Sequence, residues 1–216
     1  MGALIRVVVV DDHPLVQWGL AGAFAANPAL GIEVVGTAGS SDEAVSLAER
    51  CVPDVVLCDV MLDGEPAGLR LIEPLRALLR PPAIVMLSSY DAPGFVAAAL
   101  RAGAAGYLLK TAPLDDISGA VHAAAAGHPA TPSWLLDRAR ASPPAPSPRE
   151  LAVIRTVASG RSNSEVAHAL GLRTKTVESY LHDLYERLGV ASRTELVTLA
   201  IRQGWLSGQD EDRPGG

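Results

Sequence analysis

Five short apolar runs alternate with five segments of helical hydrophobic spacing in the N-terminal part of the chain. A run that is apolar along its whole length is typical of a strand buried on both faces, as in parallel sheets covered by helices. The sequence therefore predicts a doubly wound α/β domain with a five-stranded parallel sheet of order 2-1-3-4-5. The expected strands are Ile5–Val10, Glu33–Ala38, Val55–Cys58, Ala83–Leu87 and Gly106–Leu109, and the expected helices are Pro14–Ala26, Asp42–Arg50, Gly68–Leu79, Gly94–Ala102 and Leu114–Ala126.

Two proline-rich stretches divide the chain. Pro129–Ser133 and Ala141–Pro148 are rich in residues that block regular structure and favour extended conformations. We therefore predict a first domain over residues 1–128, a linker over 129–147, a second domain over 148–207, and a disordered tail without apolar anchors over 208–216. Between the two stretches, Trp134–Arg140 has the pattern of a short helix that could pack on either domain.

The second domain has clear signals for where helices begin and end. Capping-box patterns, in which a serine and a glutamate three residues later bond the first free N–H groups of a helix, begin at Ser147, Ser162 and Ser192. A further helix is expected from Thr174, and glycines stand at positions 160, 171, 189 and 204, where helices tend to stop. The short connection around Gly171 predicts a helix-turn-helix within a small all-α domain of four helices.

Charge is distributed unevenly between the predicted domains. Residues 1–131 contain seven basic and fourteen acidic residues, a net charge of −7, whereas residues 149–206 contain eight basic and six acidic residues, a net charge of +2. The opposite net charges indicate that the two predicted domains have different partners, although a net charge of +2 alone does not establish nucleic-acid binding. Cys51 and Cys58 are the only cysteines and show no disulfide or metal pattern. With no apolar segment of membrane-spanning length, we expect a soluble, cytoplasmic protein that does not bind membranes.

Carboxylates follow two strands that are neighbours in the predicted sheet. Asp11 and Asp12 follow the first strand and Asp59 follows the third, so all three should converge where the carboxyl ends of the strands meet. Ser88 and Lys110 follow the fourth and fifth strands and add a hydroxyl group and a cation to the same edge. Each aspartate alone could be a helix cap or a turn residue. Their convergence instead predicts a Mg²⁺ site at which Asp59 acts as nucleophile and becomes an acyl phosphate.

The same residues lie in motifs that resemble a known family. The segments D-D-H-P-L, V-V-L-C-D-V-M-L, M-L-S-S-Y-D and A-L-R-A-G-A-A-G-Y-L-L-K are similar to receiver domains of the NarL/FixJ family of two-component response regulators, which have a flavodoxin-like fold. The resemblance implies that a sensor histidine kinase phosphorylates Asp59. It implies Mg²⁺ ligands at Asp11, Asp12, Asp59 and the backbone carbonyl of Met61, and a conformational switch formed by Ser88, Tyr107 and Lys110.

The loop after Asp59 departs from the family pattern. The family usually has a proline four residues after the phosphoacceptor and a glycine eight residues after it. Here these are Asp63 and a glycine displaced to Gly68. The extra residue and the added charges of Met61–Ala67 could alter kinase recognition or the lifetime of the acyl phosphate, in a direction that the sequence does not indicate.

The third helix of the second domain has one apolar and one polar face. Val177, Leu181, Leu184 and Leu188 recur at helical spacing and predict the buried face. The polar face is either a solvated surface or a recognition surface for the major groove of DNA. The candidate DNA-binding residues are Arg173, Thr174, Lys175, Thr176, Glu178, Ser179 and His182.

The motifs around this helix favour the recognition surface. S-P-R-E-L-A-V-I-R-T-V-A-S-G, N-S-E-V-A-H-A-L, T-K-T-V-E-S-Y-L-H-D-L-Y-E-R-L-G-V and R-T-E-L-V-T-L-A resemble the LuxR-type helix-turn-helix, which implies binding to double-stranded DNA. The last helix, Arg193–Gln203, carries more apolar residues than a one-sided helix needs. The resemblance implies a homodimer contact there, with core packing as the alternative explanation, and the candidate residues are Leu196, Val197, Ala200 and Ile201.

The sequence as a whole predicts a transcriptional response regulator whose only catalysis is the phosphoryl transfer to its own Asp59. Two other hypotheses remain. One is a regulator of the same architecture that works without phosphorylation, which the complete acidic set disfavours. The other is an aspartyl-phosphate hydrolase, which usually has a second aspartate two residues after the nucleophile, where this chain has Met61.

Overall fold

The structure is a computed structural model that describes residues 4–89, 91–141, 143 and 146–206. The chain forms two compact units, with Arg140 as the last residue of the first. Within the described ranges, none of the helices is both long and apolar enough to cross a membrane. The predicted tail, residues 208–216, lies outside the described residues.

The first unit contains the predicted five-stranded parallel sheet, in the order β2-β1-β3-β4-β5. The strands are β1 (Ile5–Val10), β2 (Ile32–Ala38), β3 (Val55–Asp59), β4 (Ala83–Ser88) and β5 (Gly106–Leu109). Every residue of β3 is buried, which explains why the strand is apolar up to its last residue, Asp59, rather than alternating. The predicted fold class is therefore confirmed.

Helices alternate with the strands and cover the sheet. They are α1 (Pro14–Ala26), α2 (Ser41–Cys51), α3 (Ala67–Arg76), α4 (Pro93–Ala102), α5 (Leu114–Ala125) and α6 (Ser133–Arg140). Phe24 of α1 and Val121 of α5 share a core with residues of β1, β3 and β4. Helix α3 ends before the predicted Leu79, because Ala77 closes the helix with N–H bonds to carbonyls of its last turn. Leu79 itself is fully exposed. The sequence pattern counted its apolar side chain as part of the buried face and therefore extended the predicted helix too far.

Part of the predicted linker belongs to the first unit. The N–H of Ala130 donates to the carbonyl of Ala105 at 2.8 Å, so the chain after α5 runs beside β5. Helix α6 follows, with Leu135 completely buried and Arg138 paired with Asp91. The linker prediction was too long at this end, because proline content alone does not reveal that a segment covers the edge of a sheet.

The second unit consists of four helices, α7 (Pro148–Ala158), α8 (Asn163–Leu170), α9 (Thr174–Leu188) and α10 (Arg193–Arg202). Complete capping boxes open α7 at Ser147 and α8 at Ser162. At α10 only half of the box forms, because the Glu195 carboxylate accepts from the N–H of Ala191 instead of Ser192. Helices α8 and α9 are joined through Gly171, which caps α8 with φ +63°. This is the predicted helix-turn-helix.

Candidate functional site

The three predicted carboxylates meet at the carboxyl end of the sheet. Asp11 directly follows β1 and is 1% exposed, and Asp59 is the last residue of β3 and is 4% exposed. One ligand atom from each of Asp11, Asp12, His13 and Asp59 lies within 4.8 Å of the others. The parallel pairing of β1 with β3 therefore brings together side chains that are far apart in the sequence.

Lys110 joins two of these carboxylates. Its Nζ atom lies 2.6 Å from Oδ2 of Asp11 and 2.7 Å from Oδ2 of Asp59, and its side chain is 14% exposed. The contact with Asp11 is an ion pair without the alignment of a hydrogen bond, whereas the contact with Asp59 is both. Burial acts to lower the pKa of Lys110, but its contacts with Asp11 and Asp59 outweigh burial and raise that pKa. The ammonium group is therefore held in its charged form.

The electrostatics of Asp59 show how strongly the site depends on Lys110. Burial raises the pKa of the Asp59 carboxyl, and the neighbouring charge of Asp11 acts in the same direction. The hydrogen bond and positive charge of Lys110 oppose this increase. A buried carboxylate pair would be costly without a partner, and one lysine partners both.

His13 is a member of the cluster that the sequence reasoning missed. Its Nδ1 atom lies 2.7 Å from Oδ1 of Asp12 and 3.3 Å from Oδ1 of Asp11. His13 is also the N-cap residue of α1, so the two aspartates precede the cap position, and the N–H of His13 donates to Oδ1 of Asp11 at 3.0 Å. The signal was its position directly after the aspartate pair, which places its imidazole on the same edge.

The loop after β3 touches the acidic cluster at two points. The N–H of Met61 donates to Oδ1 of Asp59 at 3.2 Å, which places the Met61 backbone beside the predicted phosphoacceptor. The N–H of Asp63 donates to Oδ2 of Asp12 at 2.9 Å. Farther on, Gly68 packs so close to β3 that a Cβ on this residue would lie 1.8 Å from the carbonyl oxygen of Asp59. The displaced glycine is therefore required by a close backbone contact.

Ser88 and Tyr107 are both completely buried next to this edge. Asp59 pairs with Leu87 across the sheet, so Ser88 is the next residue on the neighbouring strand. Burial raises the pKa of Tyr107, against the opposing effect of its hydrogen bond with the Ser88 side chain. The backbone N–H of Tyr107 donates to Oγ1 of Thr131 at 3.0 Å. The predicted switch residues thus contact each other and the segment that leads to α6.

The seven candidate DNA-binding residues are all exposed on or beside the N-terminal half of α9. On the opposite face, Val177, Leu181 and Leu184 are buried in the core of the second unit, as predicted. Arg173 is the N-cap residue of α9 and makes no side-chain cap hydrogen bond. The N–H groups of Thr176 and Val177 donate to the carbonyl of Arg173, and the N-terminus of a helix is a place where backbone N–H groups can donate to an anion such as a phosphate.

The apolar residues of α10 divide into two groups. Leu196 and Ala200 are completely buried in the core of the second unit. These two side chains cannot form a contact with a second copy, so this part of the predicted dimer contact is wrong. Core packing accounts for them because they face α7 and α9, which α10 contacts. Val197 is partly buried against that core, and Ile201 is 61% exposed.

Comparisons with known proteins agree with both units. A family model described as the response regulator receiver domain matches residues 7–122, and one described as bacterial regulatory proteins of the luxR family matches residues 147–200. The transcriptional regulatory protein LiaR of Bacillus subtilis (strain 168) is 34% identical over 209 residues, which cover 92% of this chain and 98% of LiaR.

Two solved structures extend the comparison to the fold. The crystal structure of the response regulator ChrA of a heme-sensing two-component system has a TM-score of 0.56 and 31% identity, and the match covers 95% of this chain and 100% of ChrA. RcsB from Salmonella enterica serovar Typhimurium, bound to promoter P1flhDC with the phosphomimetic BeF3-, has a TM-score of 0.66 and 26% identity. That match covers 92% of this chain and 98% of RcsB.

Proposed function

Because the chain belongs to the response regulators that join a receiver domain to a luxR-family DNA-binding domain, we propose that phosphorylation of Asp59 controls its regulation of transcription. A sensor histidine kinase supplies the phosphoryl group, and the second unit binds specific sequences of double-stranded DNA as a dimer. The observation that carries this proposal is the contact of Lys110 with both Asp11 and Asp59 in a buried carboxylate cluster.

The geometry supports a phosphoryl transfer to Asp59. An oxygen of the Asp59 carboxylate attacks the phosphorus atom, and the bond from phosphorus to the donor nitrogen breaks as the nitrogen keeps the electron pair. Lys110 lies 2.7 Å from Oδ2 of Asp59, close enough to neutralise charge on the transferred group. The N–H of Met61 holds the other carboxylate oxygen, which orients the nucleophile.

The donor set at this edge fits Mg²⁺. Among the described residues, Oδ2 of Asp11 and Oδ1 of Asp12 are buried side-chain oxygens without a hydrogen-bond partner. Lys110 lies 2.6 Å from the first of these oxygens and His13 lies 2.7 Å from the second, so both already have a polar or charged neighbour. The donor type favours the ion, because Mg²⁺ prefers a few carboxylates together with phosphate oxygens and water. Asp11, Asp12, Asp59 and the Met61 carbonyl would hold the ion. Its positive charge would lower the repulsion between the carboxylates and the incoming phosphoryl group.

Ser88 and Tyr107 would report the phosphorylation state. A phosphoryl group on Asp59 attracts the Ser88 hydroxyl, and Ser88 is hydrogen-bonded to Tyr107. Both side chains are already buried, so the response consists of changed hydrogen bonds rather than a large inward movement. The phosphoryl group shifts the protein from an inactive to an active conformation only to the extent that it interacts more favourably with the active one. This shift then changes dimerisation or the availability of the DNA-binding unit.

The second unit supplies the recognition surface. Arg173 and Lys175 would bind phosphates, and the side chains of Thr174, Thr176, Glu178, Ser179 and His182, which are exposed, would face the major groove. Glu178 could accept a hydrogen bond from a cytosine amino group. Val197 and Ile201 on α10 would form the contact between two copies on DNA.

The proposal is tested by phosphorylation with a small phosphodonor such as acetyl phosphate, read out as the intact mass of the protein. We expect the mass of the wild-type chain to rise by one phosphoryl group only when Mg²⁺ is present, and the Asp59→Asn variant to remain unlabelled. Asp54→Asn, just before the other end of β3, is the matched control and should be labelled like the wild type. Undiminished labelling of Asp59→Asn would refute the assignment.

A further inference from the structure

The loop after β3 contains a tight two-residue turn. The N–H of Leu62 donates to the carbonyl of Glu65 at 2.8 Å, and the N–H of Glu65 donates back to the carbonyl of Leu62 at 3.1 Å. Between them, Asp63 and Gly64 have φ values of +53° and +73°. Positive φ at both central residues defines a type I′ turn, for which Asp-Gly is a preferred sequence. The turn accommodates the extra residue of this loop.

The turn directs one backbone N–H group at the acidic cluster. The N–H of Asp63 donates to Oδ2 of Asp12 at 2.9 Å, although the two residues are 51 positions apart. The family usually has proline at the position of Asp63. Proline has no N–H and its φ is fixed near −65°, so it could neither make this hydrogen bond nor adopt this turn. The contact is therefore a property of this chain's own loop.

The turn is anchored by a buried residue at its start and is followed closely by α3, while the ion pair at its end is exposed and contributes little. Leu62 is 2% exposed and anchors the start of the turn in the core. Glu65 at its end pairs with Arg70 of α3 at 2.7 Å. The N–H of Gly68, in the first turn of α3, donates to the carbonyl of Val60 at 3.2 Å. A donor fixed in this way orients its acceptor rather than following it.

The hydrogen bond determines which oxygen of Asp12 remains for a cation. Because Oδ2 accepts from Asp63, the other oxygen, Oδ1, is directed into the cluster, where it lies 2.7 Å from Nδ1 of His13. Oδ1 is buried and has no hydrogen-bond partner in the part of the chain that the structure describes. We infer that Asp63 is a positioning residue for the metal site, whose backbone N–H orients the Asp12 carboxylate toward Mg²⁺. This inference rests on the Mg²⁺ site proposed above.

The test is a calorimetric titration of the full chain with MgCl2 in the absence of any phosphodonor. Loss of an outer-shell partner typically weakens metal binding by at least about tenfold, so Asp63→Pro should raise the Kd for Mg²⁺ by about tenfold. Asp63→Asn keeps the N–H and tolerates positive φ, and its Kd should stay within about twofold of the wild-type value. Gly64→Ala, which strains the turn but keeps residue 63, should give an intermediate increase. All variants are compared after circular dichroism shows the wild-type spectrum.

The results distinguish a failure of the positioning role of Asp63 from a failure of the Mg²⁺ site itself. Equal Kd values for Mg²⁺ in the wild type and Asp63→Pro would overturn the positioning role of Asp63. The role would also be overturned if Asp63→Asn bound Mg²⁺ as weakly as Asp63→Pro, because the side chain of Asp63 rather than its N–H would then account for the loss. If Asp63→Pro does not fold, an unchanged Kd for Gly64→Ala overturns the inference. If the wild type binds no Mg²⁺, or if Asp12→Asn binds it equally well, the metal site itself is refuted.

Discussion

Substituting Gly68 by alanine tests how closely α3 must approach the strand that carries Asp59. A Cβ atom on Gly68 would lie 1.8 Å from the carbonyl oxygen of Asp59, 2.9 Å from its carbonyl carbon and 3.2 Å from the carbonyl oxygen of Val60. All three atoms belong to the backbone and cannot rotate away. The start of α3 and the end of β3 must therefore separate by more than about 1 Å to reach ordinary van der Waals contact.

The expected cost is large because the contact is buried on both sides. Overpacking in a well-packed core usually costs about 1–3 kcal/mol, and a clash between two backbones belongs at the upper end, about 3 kcal/mol. For a domain of roughly 130 residues, this loss lowers Tm by about 10 °C. A shift of about 1 Å at the nucleophile should also slow phosphorylation of Asp59 by up to about a hundredfold.

Differential scanning calorimetry of the full chain measures this effect, with Gly119→Ala as the matched control. Gly119 lies within α5 of the same unit, and a Cβ added there meets no atom within 4 Å. Because alanine is a better helix former than glycine, Gly119→Ala should stabilise the first unit by about 0.8–1 kcal/mol and therefore raise the Tm of the same transition. The two variants thus move the transition of the first unit in opposite directions. A Tm for Gly68→Ala at or above the wild-type value would refute the reasoning.

Three further predictions concern the second unit. Burial acts to raise the pKa of Glu150, but hydrogen bonds from Ser147 and Arg187 outweigh it and lower that pKa. Glu150→Gln should therefore lower the free energy of unfolding by about 1 kcal/mol in urea at pH 7, and this difference should disappear as the pH falls through the lowered pKa of Glu150. Lys175→Ala should weaken binding to all DNA sequences and reduce the slope of log K against log salt by about 0.9. Ile201→Glu should reduce dimerisation in sedimentation experiments while changing monomer stability by less than about 0.5 kcal/mol.

Each of these variants has a control with the same chemical change elsewhere. Glu186→Gln, at an exposed position of α9, should change the free energy of unfolding at pH 7 by less than about 0.5 kcal/mol. Arg50→Ala removes an exposed positive charge from α2 and should leave the salt slope unchanged. Leu79→Glu replaces a fully exposed apolar residue and should not affect dimerisation. An equal effect in a variant and its control would contradict the corresponding prediction.

The secondary structure could be predicted from local patterns, and the convergence of the acidic site followed from those elements together with the strand order of a doubly wound sheet. Continuous apolar runs predicted buried parallel strands, and the order of a doubly wound sheet then placed Asp11, Asp59 and Lys110 at one edge. The helices of the second unit were predicted to begin at serine caps, apart from α9, and each to end near a glycine, within a residue or two. These signals act within a few residues, so no knowledge of packing was needed.

Tertiary structure alone decided the contacts that depend on how elements pack. The hydrogen bond from Asp63 to Asp12 joins residues 51 positions apart, and the approach of Gly68 to Asp59 depends on the angle at which α3 leaves the sheet. The division of α10 into buried Leu196 and exposed Ile201 follows from its orientation against α7 and α9. Hydrophobic periodicity predicts that a face is apolar, but the neighbouring elements determine which residues of that face are covered.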